Sequence, residues 1–215
     1  MPECRYKAVI FDLDGVITDT AHYHYLAWKR LADSQGVPFD QQINEGLKGI
    51  DRMGSLELIL AGAARSYSAA AKLALAEQKN LHYQQLIEDM TAADLLPGAV
   101  EALALVRAAG LKTGLASVSK NAFTVLDRLG IRASFDYVVD AAYIARGKPD
   151  PEIFLKAASE LGVDPADCLG VEDAVAGVAA IKAAGMRALG VGDPAVLTQA
   201  DAVIPGLDRF TLAAC

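Results

Sequence analysis

The sequence is poor in cysteine and in basic residues, and each shortage excludes a class of protein. Its 215 residues include three cysteines, which are too few and too scattered for a disulfide framework or a zinc site. Lysine and arginine number 20 against 27 aspartates and glutamates, so the net charge is -7, and the basic residues form no run. We therefore expect a reducing compartment and no binding to a nucleic-acid backbone.

Long apolar runs are missing as well. No apolar stretch reaches membrane-spanning length, and residues 1–7 lack the apolar segment of a signal peptide. The chain also has no repeats, linkers or low-complexity tracts. We therefore expect a cytoplasmic monomer without membrane contact, in which 53% hydrophobic residues suffice for an independent core.

The most informative stretch is residues 8–20, where a short apolar run ends in Asp12 and Asp14. The run is typical of a buried parallel strand, and ligands of open α/β sheets collect where such strands end. A calcium-binding loop is excluded, because Ile10 and Ala21 occupy positions at which that loop needs acidic ligands. An ordinary solvated Asp-Gly turn remains an alternative at this stage.

Hydrophobic periodicity predicts the rest of the fold. Residues 21–35, 51–63 and 68–90 have helical spacing with no strand between them. After residue 97 predicted helices alternate with predicted strands, as in parallel α/β units. The predicted helices are 99–109, 121–129, 151–161 and 174–184, and the predicted strands are 111–116, 137–139, 168–171, 187–191 and 202–204. We expect a doubly wound, Rossmann-like α/β core of five or six strands, comprising residues 1–17 and 94–215, with residues 18–93 inserted as a helical cap.

Polar clusters also follow the later strands. Residues 117–121 combine small hydroxyls with backbone amides at a helix start, which favours anion binding, although a plain helix cap is the alternative. Lys148 stands just before Pro149, whose ring would fix the approach of the lysine, although an isolated lysine is usually solvated. Glu172 and Asp173 supply the oxygen ligands that Mg²⁺ prefers and could bridge to Asp12.

These four clusters resemble, in order and spacing, the four motifs of the haloacid dehalogenase superfamily, which begin with the Asp-x-Asp-Gly sequence at residues 12–15. The resemblance implies a phosphoryl-transfer enzyme in which Asp12 is the nucleophile and Asp14 the general acid and base. It implies that Ser117 and Lys148 offset the charge of the transferring group. The implied ligands of one Mg²⁺ per subunit are Asp12, Asp14 through its carbonyl, Glu172 and Asp173.

Residues 18–24, 47–52 and 79–80 resemble cap landmarks of the β-phosphoglucomutase family, which interconverts β-glucose 1-phosphate and glucose 6-phosphate through a sugar bisphosphate. The resemblance implies that Arg52 holds the phosphate distant from Asp12 and that His24 couples cap closure to Asp14. The other implied substrate-binding residues are Asp19, Lys48, Gly49, Lys79, Ser117, Val118, Ser119, Lys120 and Asn121. A half-buried core histidine and a surface arginine remain alternatives for His24 and Arg52.

One departure from that family bears on the substrate. Asp51 stands where the family usually has a serine, and its carboxylate should either repel a phosphate or pair with Arg52. A sugar-phosphate phosphatase, which would use the same core motifs but need no distal phosphate clamp, is the alternative function. A non-catalytic phosphate sensor is disfavoured, because Asp12, Asp14 and Lys148 are all intact.

Overall fold

The computed structural model describes residues 6–212. Its centre is a parallel sheet of six strands in the order β3-β2-β1-β4-β5-β6. The strands are β1 (Ala8–Phe11), β2 (Lys112–Leu115), β3 (Tyr137–Val138), β4 (Cys168–Glu172), β5 (Arg187–Val191) and β6 (Ala202–Ile204). The predicted doubly wound α/β fold is confirmed.

Strand β1 lies at the centre of this sheet and is buried on both faces. Val9 and Phe11 pack into one hydrophobic cluster, whereas Ala8 and Ile10 pack into another. Successive side chains of a strand point to opposite faces, so an unbroken apolar run is what a covered parallel sheet requires. Strand β1 therefore directs the residues that follow it to the centre of the sheet's carboxyl edge.

Four helices cover the two faces. The cluster containing Phe11 includes residues of α5 (Ala99–Ala108) and α6 (Ala122–Arg128). The cluster containing Ile10 includes residues of α7 (Glu152–Leu161) and α8 (Val175–Ala183). The predicted alternation of helix and strand is thus confirmed, with boundaries that differ by one or two residues.

Four further helices lie between β1 and β2 in the sequence: α1 (Ala21–Ser34), α2 (Gln41–Glu45), α3 (Arg52–Leu60) and α4 (Ala69–Leu86). The apolar faces of α1, α3 and α4 form a separate cluster that includes Trp28, Leu56 and Ala76. The end of α4 differs, because Tyr83 and Ile87 pack into the main core. The short helix α2, which the side chain of Asp40 caps, was not predicted.

The two ends of this helical insert run side by side. The Thr18 hydroxyl donates to the Asp94 carbonyl at 2.6 Å, and the Leu96 amide donates to the Ile17 carbonyl at 3.0 Å. The chain therefore leaves the sheet and returns to it at one place, which is compatible with the predicted boundaries at 17/18 and 93/94. None of the helices within residues 6–212 is long and apolar enough to cross a membrane.

Candidate active site

The carboxyl ends of β1 and β4 bring three carboxylates together. Asp12 directly follows β1 and its amide donates to the Val171 carbonyl, which places it beside Glu172 and Asp173. One oxygen from each of these three side chains lies within 4.8 Å of the others. The three carboxylates are therefore close enough to share one cation.

Glycines make room for two of the carboxylates. A Cβ at Gly15, where φ is +81°, would collide with the Asp173 carboxylate, and a Cβ at Gly177 would collide with that of Glu172. Hard oxygen ligands at this separation fit a divalent cation such as Mg²⁺ or Ca²⁺. The predicted cluster of Asp12, Glu172 and Asp173 is therefore a metal-compatible site.

Lys148 provides the cation of this cluster. Its Nζ donates to Asp12 Oδ1 at 2.6 Å and to Glu172 Oε2 at 2.8 Å, and its side chain is fully buried. Burial alone would lower the pKa of Lys148, but the Asp12 and Glu172 carboxylates outweigh burial and raise that pKa. Lys148 is therefore charged and held, which excludes the alternative of a solvated lysine.

The carboxylates of the cluster repel one another. Burial, reinforced by the Asp12 carboxylate, raises the pKa of Glu172 to about 8 and that of Asp173 to about 7. A bound divalent cation would stabilise the charged forms of these groups. The crowded negative charge therefore favours the binding of a metal cation in addition to the Lys148 ammonium group.

Asp14 lies beside the cluster but outside the group of oxygens that could share a metal. The Ser117 hydroxyl, itself fully buried, approaches Asp14 Oδ2 at 3.4 Å. Burial and the neighbouring Asp12 carboxylate raise the pKa of Asp14 to about 7. A carboxyl group with such a pKa can both give and accept a proton near neutral pH.

His24 of α1 reaches the same carboxyl group from the helical insert. Its Nε2 lies 4.0 Å from Asp14 Oδ1, and its Nδ1 lies 2.7 Å from the Nζ of Lys79 in α4. Burial, together with the nearby Lys79 and Arg52, holds the pKa of His24 well below its usual value. When Lys79 is charged it can only donate, so Nδ1 then accepts and the neutral ring carries its hydrogen on Nε2. The predicted interpretation as a core histidine is half right, since His24 is partly buried but faces Asp14.

Lys79 is buried, and no carboxylate within residues 6–212 lies within hydrogen-bond distance of its amine. Its ammonium group lies 4.5 Å from the centre of the Trp28 ring and 4.9 Å from that of Tyr83. Burial lowers the pKa of Lys79 to about 7, and the positive charge of Arg52 contributes to this shift. An anion in the site would reverse the shift, because it would favour the charged amine.

Arg52 is the first residue of α3, and Asp51 caps that helix. The Asp51 carboxylate accepts hydrogen bonds from the amides of Met53 and Gly54 at 2.8 and 3.0 Å. Arg52 instead donates to Asn80 Oδ1 at 2.8 Å. The sequence analysis expected Asp51 either to repel a phosphate or to pair with Arg52. The second expectation is wrong among the described contacts, because the Asp51 carboxylate instead accepts hydrogen bonds from the amides of α3.

A cavity of about 620 Å³ lies between the acidic residues of the core and the His24, Arg52 and Lys79 side chains of the helical insert. Most of the predicted site residues line it: Asp12, Asp14, Asp19, His24, Lys48, Gly49, Arg52, Lys79, Val118, Ser119, Lys120, Asn121 and Asp173. Ser117, Lys148 and Glu172 are buried and do not line the cavity, but they contact residues that do. The structure therefore brings all the predicted residues into or directly behind one cavity.

Two loops complete the cavity wall. Lys48 pairs with Glu45 at 2.9 Å and lies 4.0 Å from Asp173, which connects the helical insert with the acidic cluster. The loop after β2 folds on itself, since the Ser117 hydroxyl accepts from the Ser119 amide and the Ser119 hydroxyl accepts from the Asn121 amide. These hydroxyls stabilise the loop but do not cap the helix, because α6 has no side-chain cap at Asn121, so the plain-cap alternative to anion binding is wrong. The loop faces the cavity.

Sequence reasoning included Asn80 of α4 in a cap landmark but gave it no role, and it missed Gln84 of the same helix. Asn80 accepts from Arg52 and from Asn121, and Gln84 donates to Asn121 at 3.0 Å. Both contacts to Asn121 join the helical insert to the core. A helical period identifies α4 but does not indicate which loop its polar residues will reach, so no signal in the sequence pointed to this network.

Comparisons with known proteins agree with this geometry. The family model described as haloacid dehalogenase-like hydrolase matches residues 6–185. The chain is 52% identical over 208 residues to a β-phosphoglucomutase of Bacillus subtilis, with 96% of this chain and 92% of the relative covered. It is 32% identical to a phosphorylated carbohydrates phosphatase of Thermotoga maritima, with 92% of each covered.

A crystal structure named as a β-phosphoglucomutase of Clostridium difficile has the same fold, with a TM-score of 0.94 and 45% identity, covering 97% of this chain and 95% of that one. The acidic cluster, the buried lysine and the match along almost the whole chain lead to one conclusion. The chain belongs to the haloacid dehalogenase-like hydrolase family and, within it, to the β-phosphoglucomutases.

Proposed function

We propose that this protein interconverts β-D-glucose 1-phosphate and D-glucose 6-phosphate through a phosphorylated Asp12 and β-glucose 1,6-bisphosphate. The observation that carries the proposal is that Arg52 and Asp12 line one cavity, so the cavity has a nucleophile for one phosphate and a guanidinium for another. The 52% identical relative is named a β-phosphoglucomutase, which supports the same reaction.

Asp12 and Asp14 perform the chemistry in this proposal. The Asp12 carboxylate attacks phosphorus of the bisphosphate, and the bond from phosphorus to the sugar oxygen breaks as Asp14 gives that oxygen its proton. In the other half-reaction the 6-hydroxyl of β-glucose 1-phosphate attacks phospho-Asp12, the bond from phosphorus to the Asp12 oxygen breaks, and Asp14 takes the hydroxyl proton; the resulting bisphosphate then binds in the reversed orientation. A pKa of about 7 suits Asp14 to both directions.

The surrounding residues lower the cost of bringing a phosphate to three carboxylates. Lys148, bonded to Asp12, offsets negative charge at the transferring group, and Ser117 orients Asp14. The ligands of one Mg²⁺ would be Asp12, the Asp14 carbonyl, Glu172 and Asp173, and the ion would supply charge neutralisation at the phosphoryl oxygens.

Residues 18–93 act as the cap over a core of residues 1–17 and 94–215. Arg52 grips the phosphate that is not being transferred, and His24 couples the position of the cap to Asp14. The sugar and its distal phosphate contact residues from both parts: Asp19, Lys48, Gly49, Lys79, Val118, Ser119, Lys120 and Asn121. Ser117, behind this wall, serves the transferring group. A closing cap would keep water from phospho-Asp12 until a sugar hydroxyl attacks it.

We further propose that the protein acts as a monomer in the cytoplasm. One chain supplies every residue assigned above, which supports a monomer. Cys168 is buried, and burial raises the pKa of its thiol to about 12, so that this cysteine is unreactive. Cys4 and Cys215 lie outside the described residues.

A sugar-phosphate phosphatase is the second candidate, because the 32% identical relative is named a phosphatase. The test supplies β-glucose 1-phosphate, Mg²⁺ and a trace of the bisphosphate, and it measures glucose 6-phosphate and inorganic phosphate. The proposal predicts glucose 6-phosphate with little phosphate released, and none of either from Asp12→Asn. Stoichiometric release of phosphate without isomerisation would instead assign the phosphatase function.

A further inference from the structure

Asn80 joins the helical insert to the core at a single oxygen atom. Its Oδ1 accepts a hydrogen bond from Arg52 Nη2 at 2.8 Å and one from Asn121 Nδ2 at 2.9 Å. Arg52 belongs to α3 of the insert, whereas Asn121 precedes α6 of the core. Asn80 itself is 8% exposed, and its hydrogen bond with Asn121 is buried, whereas that with Arg52 is partly buried.

The two donors face the cavity, but the acceptor does not. Arg52 and Asn121 line the cavity, and Asn80 is absent from its wall. Each donor keeps further N–H groups after bonding to Asn80, since a guanidinium carries five and a carboxamide two. Asn80, which lies behind the cavity wall, therefore holds Arg52 and Asn121, and the remaining N–H groups of both side chains are available to a ligand in the same cavity.

The carboxamide oxygen of Asn80 is an uncharged hydrogen-bond acceptor, which leaves the positive charge of Arg52 available to an anion. Glu77 lies 3.9 Å from Arg52 Nη1 and is exposed, so a charged partner for the guanidinium is within reach on the same helix as Asn80. A carboxylate paired with Arg52 would cancel the charge that attracts an anion, whereas the Asn80 carbonyl holds the guanidinium without cancelling it.

Gln84 fixes the other end of the network. Its Nε2 donates to Asn121 Oδ1 at 3.0 Å, while Asn121 Nδ2 donates to Asn80. The amide of Asn121 is therefore held at both its oxygen and its nitrogen by residues one helical turn apart on α4. One N–H of Asn121 remains for a ligand.

We propose that Asn80 is a positioning residue that holds Arg52 and Asn121 so that their remaining N–H groups bind one phosphate, the one not being transferred. This inference rests on the proposed function, because it deepens the role given there to Arg52. It adds that one uncharged acceptor, Asn80 Oδ1, holds both of these donors. The grip is then complete only when α4 lies against the loop before α6.

The test compares Asn80→Ala with Gln78→Ala, an exposed neighbour on the same helix. A misplaced charged donor weakens substrate and transition state alike, so KM for β-glucose 1-phosphate should rise about tenfold in Asn80→Ala while kcat changes less. Hydrolysis of acetyl phosphate, which has no distal phosphate, should change little. Gln78→Ala should resemble the wild type in both assays.

Asn80→Asp separates positioning from simple structural support. It keeps an oxygen acceptor but adds a negative charge behind the binding site, so KM should rise at neutral pH. The ratio of its KM to the wild-type value should fall as acid protonates the new carboxyl group. A structural role for Asn80 predicts no such pH dependence, and this variant also serves if Asn80→Ala does not fold.

Repeating the substitution in an Arg52→Ala background tests whether Asn80→Ala raises KM through Arg52. The factor that Asn80→Ala adds there should be clearly smaller than in the wild type, because one of its two targets is gone. An unchanged KM in folded Asn80→Ala, or the same tenfold rise in both backgrounds, would overturn the proposal. If wild type released phosphate instead of isomerising the sugar, the proposed mutase function would fail, and the KM values of that hydrolysis would still test Asn80.

Discussion

Lys148 and Lys79 are equally buried, at 4% exposure each, yet their surroundings shift their pKa values in opposite directions. Lys148 of the core bonds to Asp12 and Glu172, which keep it charged. Lys79 of the helical insert contacts a neutral His24 and aromatic rings, and its pKa falls to about 7. Burial alone therefore does not determine the state of a lysine.

The same contrast holds for the two halves of the site. The core half contains Asp12, Glu172 and Asp173, and it needs cations to offset its charge. The insert half contains Lys79 and Arg52, which have no carboxylate within hydrogen-bond distance among the described residues. The core half needs further positive charge, which a bound metal ion would supply. The insert half lacks negative charge, which the distal phosphate of a sugar bisphosphate would supply.

The largest expected effect is that of Asp14→Asn in the core half. The amide keeps the shape and the backbone carbonyl of Asp14 but cannot exchange a proton, so kcat for isomerisation should fall by about 10² to 10⁴. Because the Asp14 side chain lies outside the metal-compatible group, Mg²⁺ affinity should change little. Steady-state kinetics and calorimetric titration of Mg²⁺ measure the two effects, and an equal collapse of metal binding would mark Asp14 as a ligand.

Arg52→Ala tests the insert half. The lost charge-assisted contact in a closed site is worth about 2 to 4 kcal/mol, so kcat/KM for isomerisation should fall by about thirty to a thousandfold. Hydrolysis of acetyl phosphate, which uses only the core half, should persist. Lys156→Met, a change at an exposed lysine of α7, provides the control. Equal rates of isomerisation by Arg52→Ala and wild type would show that Arg52 does not bind the phosphate that is not being transferred.

Lys148→Met should destabilise the protein. Without its ammonium group, the buried Asp12 and Glu172 carboxylates lose their shared partner, and an uncompensated buried charge costs about 3 kcal/mol. We expect a lower free energy of unfolding in urea at about pH 8 with a chelator present. Unchanged stability would mean that these carboxylates are protonated in the metal-free protein.

Lys79→Met should stabilise the protein, by a smaller amount that depends on pH. The pKa of Lys79 is lowered from 10.5 to about 7 on folding, so between these values the unfolded chain binds more protons. The cost of Lys79 is therefore complete below pH 7 and fades as pH rises toward 10.5. The gain from Lys79→Met should accordingly be larger at about pH 6 than at about pH 9. A gain that is equal at both pH values would contradict the depressed pKa.

The core half could be predicted from the sequence because its residues follow strands. A parallel sheet brings the ends of its strands to one edge, so the positions of Asp12, Ser117 and Glu172 follow from locating β1, β2 and β4. The burial of Lys148 was less evident, since an isolated lysine is usually solvated. Its assignment depended on the resemblance to a known family.

The insert half was harder to predict, because its contacts depend on how helices pack. The resemblance indicated Arg52 and Lys79, but the partner of each is a residue about 28 or 55 positions away, at distances that no local pattern encodes. Asp51 illustrates the same limit. Its carboxylate was expected to act on a phosphate or on Arg52, whereas the backbone of α3 takes it as a cap.

The division of labour between the two halves is tested most directly by following one phosphoryl group. Asp12 is labelled with [³²P]acetyl phosphate, β-glucose 1-phosphate is added, and the label is recovered as sugar bisphosphate or as inorganic phosphate. The account predicts that wild type passes most of the label to the sugar, whereas Arg52→Ala passes most of it to water. The same partition in both proteins, or release to water by the wild type, would contradict a core that transfers one phosphate while the insert holds the other.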